Sequence, residues 1–414
     1  MTEKLSLEFA QELDGADSLR DCRGRFNLPD GTIYLDGNSL GALPNGTKSR
    51  VASLIENEWG QDLIKSWNSH NWISQPRILG DKIAKLIGAG DGEVIVSDST
   101  SINLFKAVAQ ARSLRAERSK ILSEQGNFPT DLYVLQGLVE MLGAGISYAT
   151  TPTSELLGAI DADTAVVVLT HVNFKSGSIH DMAAITKHAH DKGALVVWDL
   201  CHSAGAMPLN LSADGADYAV GCGYKYLNGG PGAPAFLYVA SRHQAAAQSP
   251  LSGWMGHLKP FSFSEDYEPA NGIERNLCGT PAIISLAALD EGLKTFDGVN
   301  LNDLRQKSMA LGTLFIELMQ ARLDGHGFSL ACPKKADERG SQVSFSHEHG
   351  YAIMQALIAK GVIGDFRAPD IIRFGFAPLY ISYVDVWNAV DALNTIMHEK
   401  LWQDPKYSQK SKVT

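Results

Sequence analysis

The chain is poor in cysteine. Five cysteines stand among its 414 residues, and no two of them have the C-x-x-C spacing of a zinc or redox motif. A scattered, odd-numbered set argues against a disulfide framework and offers no metal cage, so we predict that no metal is bound. The five are Cys22, Cys201, Cys222, Cys278 and Cys332.

Long apolar runs are also missing. No stretch approaches the roughly 18 apolar residues that a membrane-spanning helix needs. The N-terminal residues are polar and acidic, whereas a signal peptide requires a continuous apolar segment. We therefore predict a cytoplasmic protein without a membrane partner.

Positive charge is in deficit. Lys and Arg number 36 against 46 Asp and Glu, which gives a net charge of -10. A nucleic-acid interface needs clustered positive charge, so no nucleic-acid partner is predicted. The remaining composition, 44% hydrophobic and 20% charged, is that of an ordinary globular protein. At about 150 residues per domain, the length indicates two large domains.

Short apolar runs alternate with helical patterns in the middle of the chain. Runs that are apolar on both faces are typical of strands in a parallel sheet covered by helices. We therefore predict an α/β fold with a mostly parallel seven-stranded sheet. Its strands are expected at residues 93–97, 120–122, 146–149, 165–170, 194–199, 217–221 and 233–239.

The pattern changes near residue 290, where long helical segments precede shorter strands. This change is typical of a second, smaller α+β domain. We predict that residues 61–290 form the large domain and residues 291–414 the small C-terminal domain. Residues 1–60 are expected to contribute to the small domain and to an active-site loop.

Polar residues follow five of the predicted strands. In an open α/β sheet the ligand lies outside the carboxyl ends of the strands, so these segments predict a site at one edge of the sheet. They are residues 98–101, 127–131, 170–173, 199–202 and 223–225.

A lysine and an aspartate stand out at this edge. Lys225 lies in the glycine-rich segment GCGYKYLNGGPG, where Tyr226 rules out a dinucleotide fingerprint and no Walker motif is present. A lysine in a loop is ordinarily a solvated surface residue, and the lysine segment considered by itself leaves that alternative open. However, Asp199 ends an apolar strand, and a buried carboxylate needs a cationic partner. A covalent lysine and an aspartate facing a pyridinium nitrogen are the pair that pyridoxal 5'-phosphate requires.

Several motifs together resemble a known family. Asp199-x-x-His202 followed by the lysine segment resembles the fold-type I pyridoxal phosphate enzymes of the aminotransferase class V group. The motifs YLDGNSLG, NFPTD, GWMGH and RFGFAPLY, which lie between residues 34 and 380, are similar to those of the kynureninase family within that group. The resemblance implies hydrolysis of the Cβ–Cγ bond of L-kynurenine to anthranilate and L-alanine, and it leaves open whether the 3-hydroxy form is also a substrate. It also implies a homodimer with the site at the subunit interface.

The resemblance assigns roles at the cofactor site. Lys225 would bond covalently to the cofactor and then act as a base. Asp199 would keep the ring nitrogen of the cofactor protonated, and Tyr224 would be an acid–base partner. The other implied cofactor-binding residues are Thr100, Ser101, Phe128, Asp131, Thr170, His202, Trp254 and Thr280. Two alternatives stay open: His202 as a satisfied buried histidine and Phe128 as simple core packing. Threonine at position 280, where some relatives carry asparagine, favours plain kynurenine.

The resemblance also implies substrate-binding residues. Arg373 is the candidate for the substrate α-carboxylate, since guanidinium pairs with carboxylate in a two-point geometry. Its alternative is an internal ion pair with Asp365 or Asp370. The remaining candidates are Asn38, Ser39 and His70.

Two rival functions share the cofactor. A cysteine desulfurase or selenocysteine lyase of the same fold needs a nucleophilic cysteine in the smaller domain, for which Cys332 is the candidate. A non-catalytic regulator would carry an appended DNA-binding domain, for which an acidic chain of this length has no room.

Overall fold

A computed structural model describes residues 5–409 and divides the chain into two compact units. The sheet unit comprises Gly46–His171 and His180–Leu293. The terminal unit comprises Met1–Asn45, Val172–Ile179 and Lys294–Thr414, as far as these are described. None of the helices in residues 5–409 is both long and apolar enough to cross a membrane.

The chain alternates strands and helices throughout. The strands are β1 (Phe26–Asn27), β2 (Ile33–Tyr34), β3 (Leu43–Pro44), β4 (Val94–Val96), β5 (Lys120–Glu124), β6 (Ser147–Thr151), β7 (Thr164–Thr170), β8 (Leu195–Asp199), β9 (Tyr218–Gly221), β10 (Phe236–Val239), β11 (Ser329–Leu330), β12 (Gln342–Ser346), β13 (Val362–Ile363), β14 (Asp365–Arg367) and β15 (Ile371–Gly375). The helices are α1 (Leu7–Ala16), α2 (Thr47–Ser53), α3 (Ser66–Ser69), α4 (Gln75–Ile87), α5 (Thr100–Ser113), α6 (Pro129–Leu142), α7 (Leu156–Ala159), α8 (Met182–Asp191), α9 (Ser241–Gln244), α10 (Ile283–Lys294), α11 (Leu301–Arg322), α12 (Gly350–Ala359) and α13 (Tyr383–His398).

The sheet unit is built on seven strands in the order β4-β10-β9-β8-β7-β5-β6. β5 to β9 pair in parallel, and only β10 runs against both of its neighbours. All residues of β7, β8, β9 and β10 are buried, as expected for strands covered by helices on both faces. The predicted α/β fold with its mostly parallel sheet is confirmed, and each predicted run overlaps one of the seven strands.

The terminal unit contains a four-stranded antiparallel sheet in the order β11-β12-β15-β14. The long helices α11 and α13 bury their apolar faces, and α13 begins with a capping box formed by Ser382 and Asp385. This is the α+β character that the sequence predicts after residue 290.

Two segments group differently from the predicted domains. Residues 46–60 belong to the sheet unit, because Trp72 Nε1 and Ser66 Oγ both donate hydrogen bonds to Glu58. Residues 172–179 belong to the terminal unit, because their backbone bonds to residues 338–340. The second of these ties joins segments about 160 residues apart, which local sequence patterns do not reveal.

A buried ion cluster stabilises the amino end of β9. Asp217 is fully buried and accepts hydrogen bonds from His190, His243 and Arg242 at 2.6–2.8 Å and from the Val196 amide at 2.9 Å. Burial alone would raise the pKa of Asp217, but the bonds from His190 and His243 outweigh it and hold the pKa well below its usual range. The charged carboxylate therefore stabilises the fold.

We predict that Asp217→Asn lowers the free energy of unfolding by about 3–5 kcal/mol, the cost of breaking a buried pair. Because the folded-state pKa is depressed, the contribution is complete above the unfolded pKa of about 4 and is lost as the pH falls below it. Urea unfolding between neutral and acid pH measures both effects. As a control, Asp191→Asn removes only the exposed pair with Lys187 and should change stability by under about 0.5 kcal/mol. Equal effects of the two variants would contradict the prediction.

Candidate active site

Lys225 lies in a bend four residues after the end of β9. Its Nζ atom is 2.9 Å from His202 Nε2 and 5.9 Å from the ring centres of both Phe128 and Tyr224. The structure thus places three of the other predicted residues, His202, Phe128 and Tyr224, around the Lys225 amine. His202 is buried, whereas Phe128 is 37% exposed and so is more than core packing.

Two carboxylates share the space at the end of β8. Asp199 accepts a hydrogen bond from the Cys201 amide at 2.7 Å, and Asp131 lies beside it in the first turn of α6. Burial, and then the charge of Asp199, raise the pKa of Asp131 well above its usual range. Thr170 Oγ1, at the end of β7, lies 3.3 Å from Asp131 and also donates to Asn127. The Asp131 carboxyl also hydrogen-bonds the side chain of Asp199.

Thr100 and Ser101 open helix α5. Ser99 caps the helix by accepting a hydrogen bond from the Ile102 amide, so the first amides and hydroxyls of α5 lie at a helix N-terminus. Such an end attracts phosphate. Thr100 Oγ1 is 3.7 Å from Cys201 Sγ, which connects this end of α5 to the loop after Asp199.

Three predicted residues lie in a more apolar part of the sheet unit. Trp254 packs against Trp67 with ring centres 6.5 Å apart, and Thr280 is exposed on the rim of a cavity of about 570 Å³ lined by tryptophans and aliphatic residues. His70 Nε2 bonds Asp62 at 2.8 Å. None of the three contacts Lys225 in the described chain through a hydrogen bond or ring contact that the structure records.

Arg373 lies on β15 in the terminal unit and is 1% exposed. It stands directly opposite Asp365 of β14, and Nε donates to Oδ1 at 2.8 Å while Nη2 donates to Oδ2. Nη1 donates to the Phe174 carbonyl at 2.6 Å, and Nη2 also reaches Ser39 Oγ at 3.0 Å. The alternative ion pair with Asp365 is therefore present, while Asp370 is not the partner.

Asn38 and Ser39 join the same cluster. The Asn38 amide lies 3.0 Å from Arg373 Nε and 3.3 Å from Asp36 Oδ1. Burial, and then the neighbouring Asp365 carboxylate, raise the pKa of Asp36 to about 7. Three of the predicted substrate-binding residues thus share one buried polar network in the terminal unit.

Sequence reasoning missed some members of these groups. Asn127 bonds both Thr170 and Ser123, and its place at the start of the NFPTD motif was the available signal. Cys201 follows β8 and Cys222 follows β9. Only the strand order, in which β8 and β9 are neighbours, reveals that the two cysteines lie close together.

Comparison with known proteins places these groups in a family. The kynureninase C-terminal domain family matches residues 304–393. A kynureninase of Pseudomonas fluorescens is 51% identical over 97% of this chain and 98% of its own, and one of Burkholderia pseudomallei is 49% identical over 98% and 99%.

Solved structures agree on the fold. A cysteine desulfurase from Thermococcus onnurineus NA1 aligns with a TM-score of 0.77 at 20% identity, covering 92% of this chain and 98% of its own. A C-DES variant with glycine covalently linked to its pyridoxal phosphate cofactor aligns with a TM-score of 0.76 at 19% identity, covering 90% and 98%. These structural similarities show the fold. The sequence identity of about 50% to two kynureninases over nearly the full length shows that the chain belongs to the kynureninase family.

Proposed function

We infer that the protein is a pyridoxal 5'-phosphate-dependent hydrolase that cleaves the Cβ–Cγ bond of L-kynurenine to anthranilate and L-alanine. It belongs to the hydrolases that act on carbon–carbon bonds in ketonic substances. The observation that carries the inference is the 51% sequence identity to a kynureninase over 97% of this chain.

The residues at the end of the sheet fit this cofactor. Asp131 and Asp199 are buried together and hydrogen-bond each other, and a cationic ring nitrogen would stabilise negative charge on such a pair. Lys225 lies beside an exposed aromatic ring that suits stacking, and the N-terminus of α5 suits a phosphate. We propose that Phe128, Thr170 and His202 contact the ring and that Thr100 and Ser101 bind the phosphate.

When bound, the cofactor supplies an electron sink for charge that develops on the substrate. The chain's own groups do the rest. Lys225 Nζ would hold the cofactor covalently. Once the substrate has displaced the lysine, the free Nζ would take the proton from the substrate Cα. Asp199 keeps a proton on the ring nitrogen, because its carboxylate accepts that hydrogen bond.

A second acid–base group is proposed for the later steps. Burial raises the pKa of Tyr224, and the electrostatic interactions of Tyr224 with Cys222 and then with Cys201 raise it further. Its hydroxyl therefore stays protonated at neutral pH and can donate a proton to the substrate. The neighbouring position of Tyr224 and Lys225 supports this assignment.

Product analysis tests the function. The purified enzyme with its cofactor is expected to release anthranilate and alanine in equal amounts from L-kynurenine. A lower kcat/KM for 3-hydroxykynurenine is expected if Thr280 favours the plain substrate. Absence of both products from either substrate would overturn the proposal.

Arg373 is proposed to bind the substrate α-carboxylate through the Nη1 N–H that Phe174 leaves available and, in place of Ser39, through Nη2. We predict that Arg373→Lys raises KM for kynurenine about tenfold or more, since a hydrogen bond to a charged group is worth about 1.5–3 kcal/mol. The melting temperature should fall as well, because the variant loses the two-point bond to buried Asp365. Steady-state kinetics and thermal unfolding on one preparation measure both.

The control is Arg322→Lys, which disturbs an ion pair with half-exposed Asp391 outside the proposed site. It should lower the melting temperature and leave KM unchanged. If Arg373→Lys behaves in the same way, Arg373 is only a structural ion-pair member and another group binds the carboxylate.

The desulfurase alternative is not favoured. Cys332 is partly buried, and burial raises the pKa of its thiol, which is the opposite of what a nucleophilic cysteine requires. Sulfide release from cysteine that Cys332→Ala abolishes would revive it.

We further propose a cytoplasmic homodimer that acts in tryptophan degradation through the kynurenine pathway or in NAD biosynthesis. Exposed apolar side chains support the dimer: Trp59 is 56% exposed, and Phe261, in contact with Trp254, is 61% exposed. We place Trp254, Thr280 and His70 at this interface, where they would contact the site. Sedimentation analysis is expected to give the mass of two chains.

A further inference from the structure

The carboxyl ends of β8 and β9 bring two cysteines opposite each other. Parallel pairing runs to Asp199 opposite Val220, and the Leu200 amide still donates to the Val220 carbonyl at 2.8 Å. Cys201 and Cys222 each lie two residues beyond that pair, where the chain leaves the two strands, and their side chains hydrogen-bond each other. Adjacent strands are about 4.8 Å apart, within the Cα separation of about 4.4–6.8 Å that disulfides span.

The two thiols are buried and interact. Cys201 is 8% exposed and Cys222 is 3% exposed. A hydrogen bond with Cys222, followed by burial, raises the pKa of Cys201. Burial acts the same way on Cys222, but the bond from Cys201 and the charge of Lys225 outweigh it and lower the pKa of Cys222. The lowered pKa favours Cys222 over Cys201 as the attacking thiol.

Both thiols also contact residues of the proposed cofactor site. Cys201 Sγ is 3.7 Å from Thr100 Oγ1, and Cys222 hydrogen-bonds the Tyr224 side chain. A bond between the two sulfurs removes both S–H protons, so neither sulfur can donate a hydrogen bond to these partners.

We propose that Cys201 and Cys222 form a modification site for two-electron oxidants such as hydrogen peroxide, which close the pair to a disulfide and weaken cofactor binding. The disulfide itself is independent of the proposed function, whereas its effect on the cofactor rests on the proposed site.

The reaction proceeds in two steps. The Cys222 thiolate attacks one peroxide oxygen, the O–O bond breaks and hydroxide leaves, which yields a sulfenic acid. The Cys201 thiol then attacks the Cys222 sulfur, the S–O bond breaks, and water leaves with the Cys201 proton. In sum, two thiols and one peroxide give one disulfide and two waters, with two electrons passing from sulfur to oxygen.

Peptide mapping of the oxidised holoenzyme tests the proposal. After peroxide treatment, alkylation and digestion, two of the five thiols should be lost together in a linked Cys201–Cys222 peptide pair that dithiothreitol separates. The dissociation constant of the cofactor should rise about three- to tenfold, the factor for one neutral hydrogen bond. No linked pair, linkage to another cysteine, or a linked pair with unchanged cofactor affinity would each overturn the proposal.

Two variants serve as controls. Cys201→Ser should abolish the linked pair, and Cys332→Ser should leave it as in the wild type. If Cys201→Ser fails to fold, the wild-type peptide map still decides. No kynurenine is used, so failure here does not bear on the proposed activity.

Discussion

Lys225→Ala should lose at least about 10⁴-fold in kcat for kynurenine while it still binds pyridoxal phosphate weakly. The substitution removes two roles at once, the covalent anchor and the base at the substrate Cα. The phosphate and ring contacts do not involve the Lys225 amine, so residual cofactor binding is expected. Turnover kinetics and equilibrium dialysis of the cofactor measure the two effects.

The control is Lys187→Ala, which removes an exposed lysine of α8 in the same unit. It should match the wild type in turnover, in cofactor binding and in melting temperature. Near-normal turnover of Lys225→Ala would remove Lys225 from the site and leave the whole assignment without its anchor.

Asp199→Asn should retain the cofactor but lower kcat about 10²- to 10³-fold. A neutral amide cannot hold a proton on the ring nitrogen, and a carboxylate–pyridinium pair in a buried site is worth a few kcal/mol, with 1.36 kcal/mol for each tenfold in rate. Single-turnover kinetics with saturating cofactor measure the chemical step directly.

Asp131→Asn is the matched control, since it keeps the shape of the side chain, and burial raises the pKa of Asp131, which favours its neutral form. An amide there can still donate to Asp199 and accept from Thr170, so we expect a loss within about tenfold. A larger loss for Asp131→Asn than for Asp199→Asn would make Asp131 the partner of the ring nitrogen.

Much of the fold could be predicted because its signals are local. Most strands of the main sheet are apolar runs rich in β-branched residues, five of the predicted strands are followed by polar residues, and a central strand such as β7 is buried on both faces. The cluster around Lys225 was predictable for the same reason, since residues that follow parallel strands meet at one edge. Lys225, His202 and Asp199 are such residues.

The rest depends on register and on contacts between distant segments. Sequence reasoning left open whether Arg373 pairs with Asp365, and the antiparallel register of β14 and β15 places them opposite each other. The Cys201–Cys222 pair likewise requires the order of β8 and β9 in the sheet. Residues 172–179 bond to residues 338–340, a separation that no local pattern spans.

The most direct test is to locate the covalent cofactor. Borohydride reduction of the holoenzyme fixes pyridoxal phosphate to the lysine that carries it, and digestion with mass spectrometry identifies that lysine. The account predicts the label on Lys225 alone, with its loss in Lys225→Ala. A label on a different lysine, such as buried Lys106 beside Asp98, would contradict the placement of the active site at the carboxyl ends of β8 and β9.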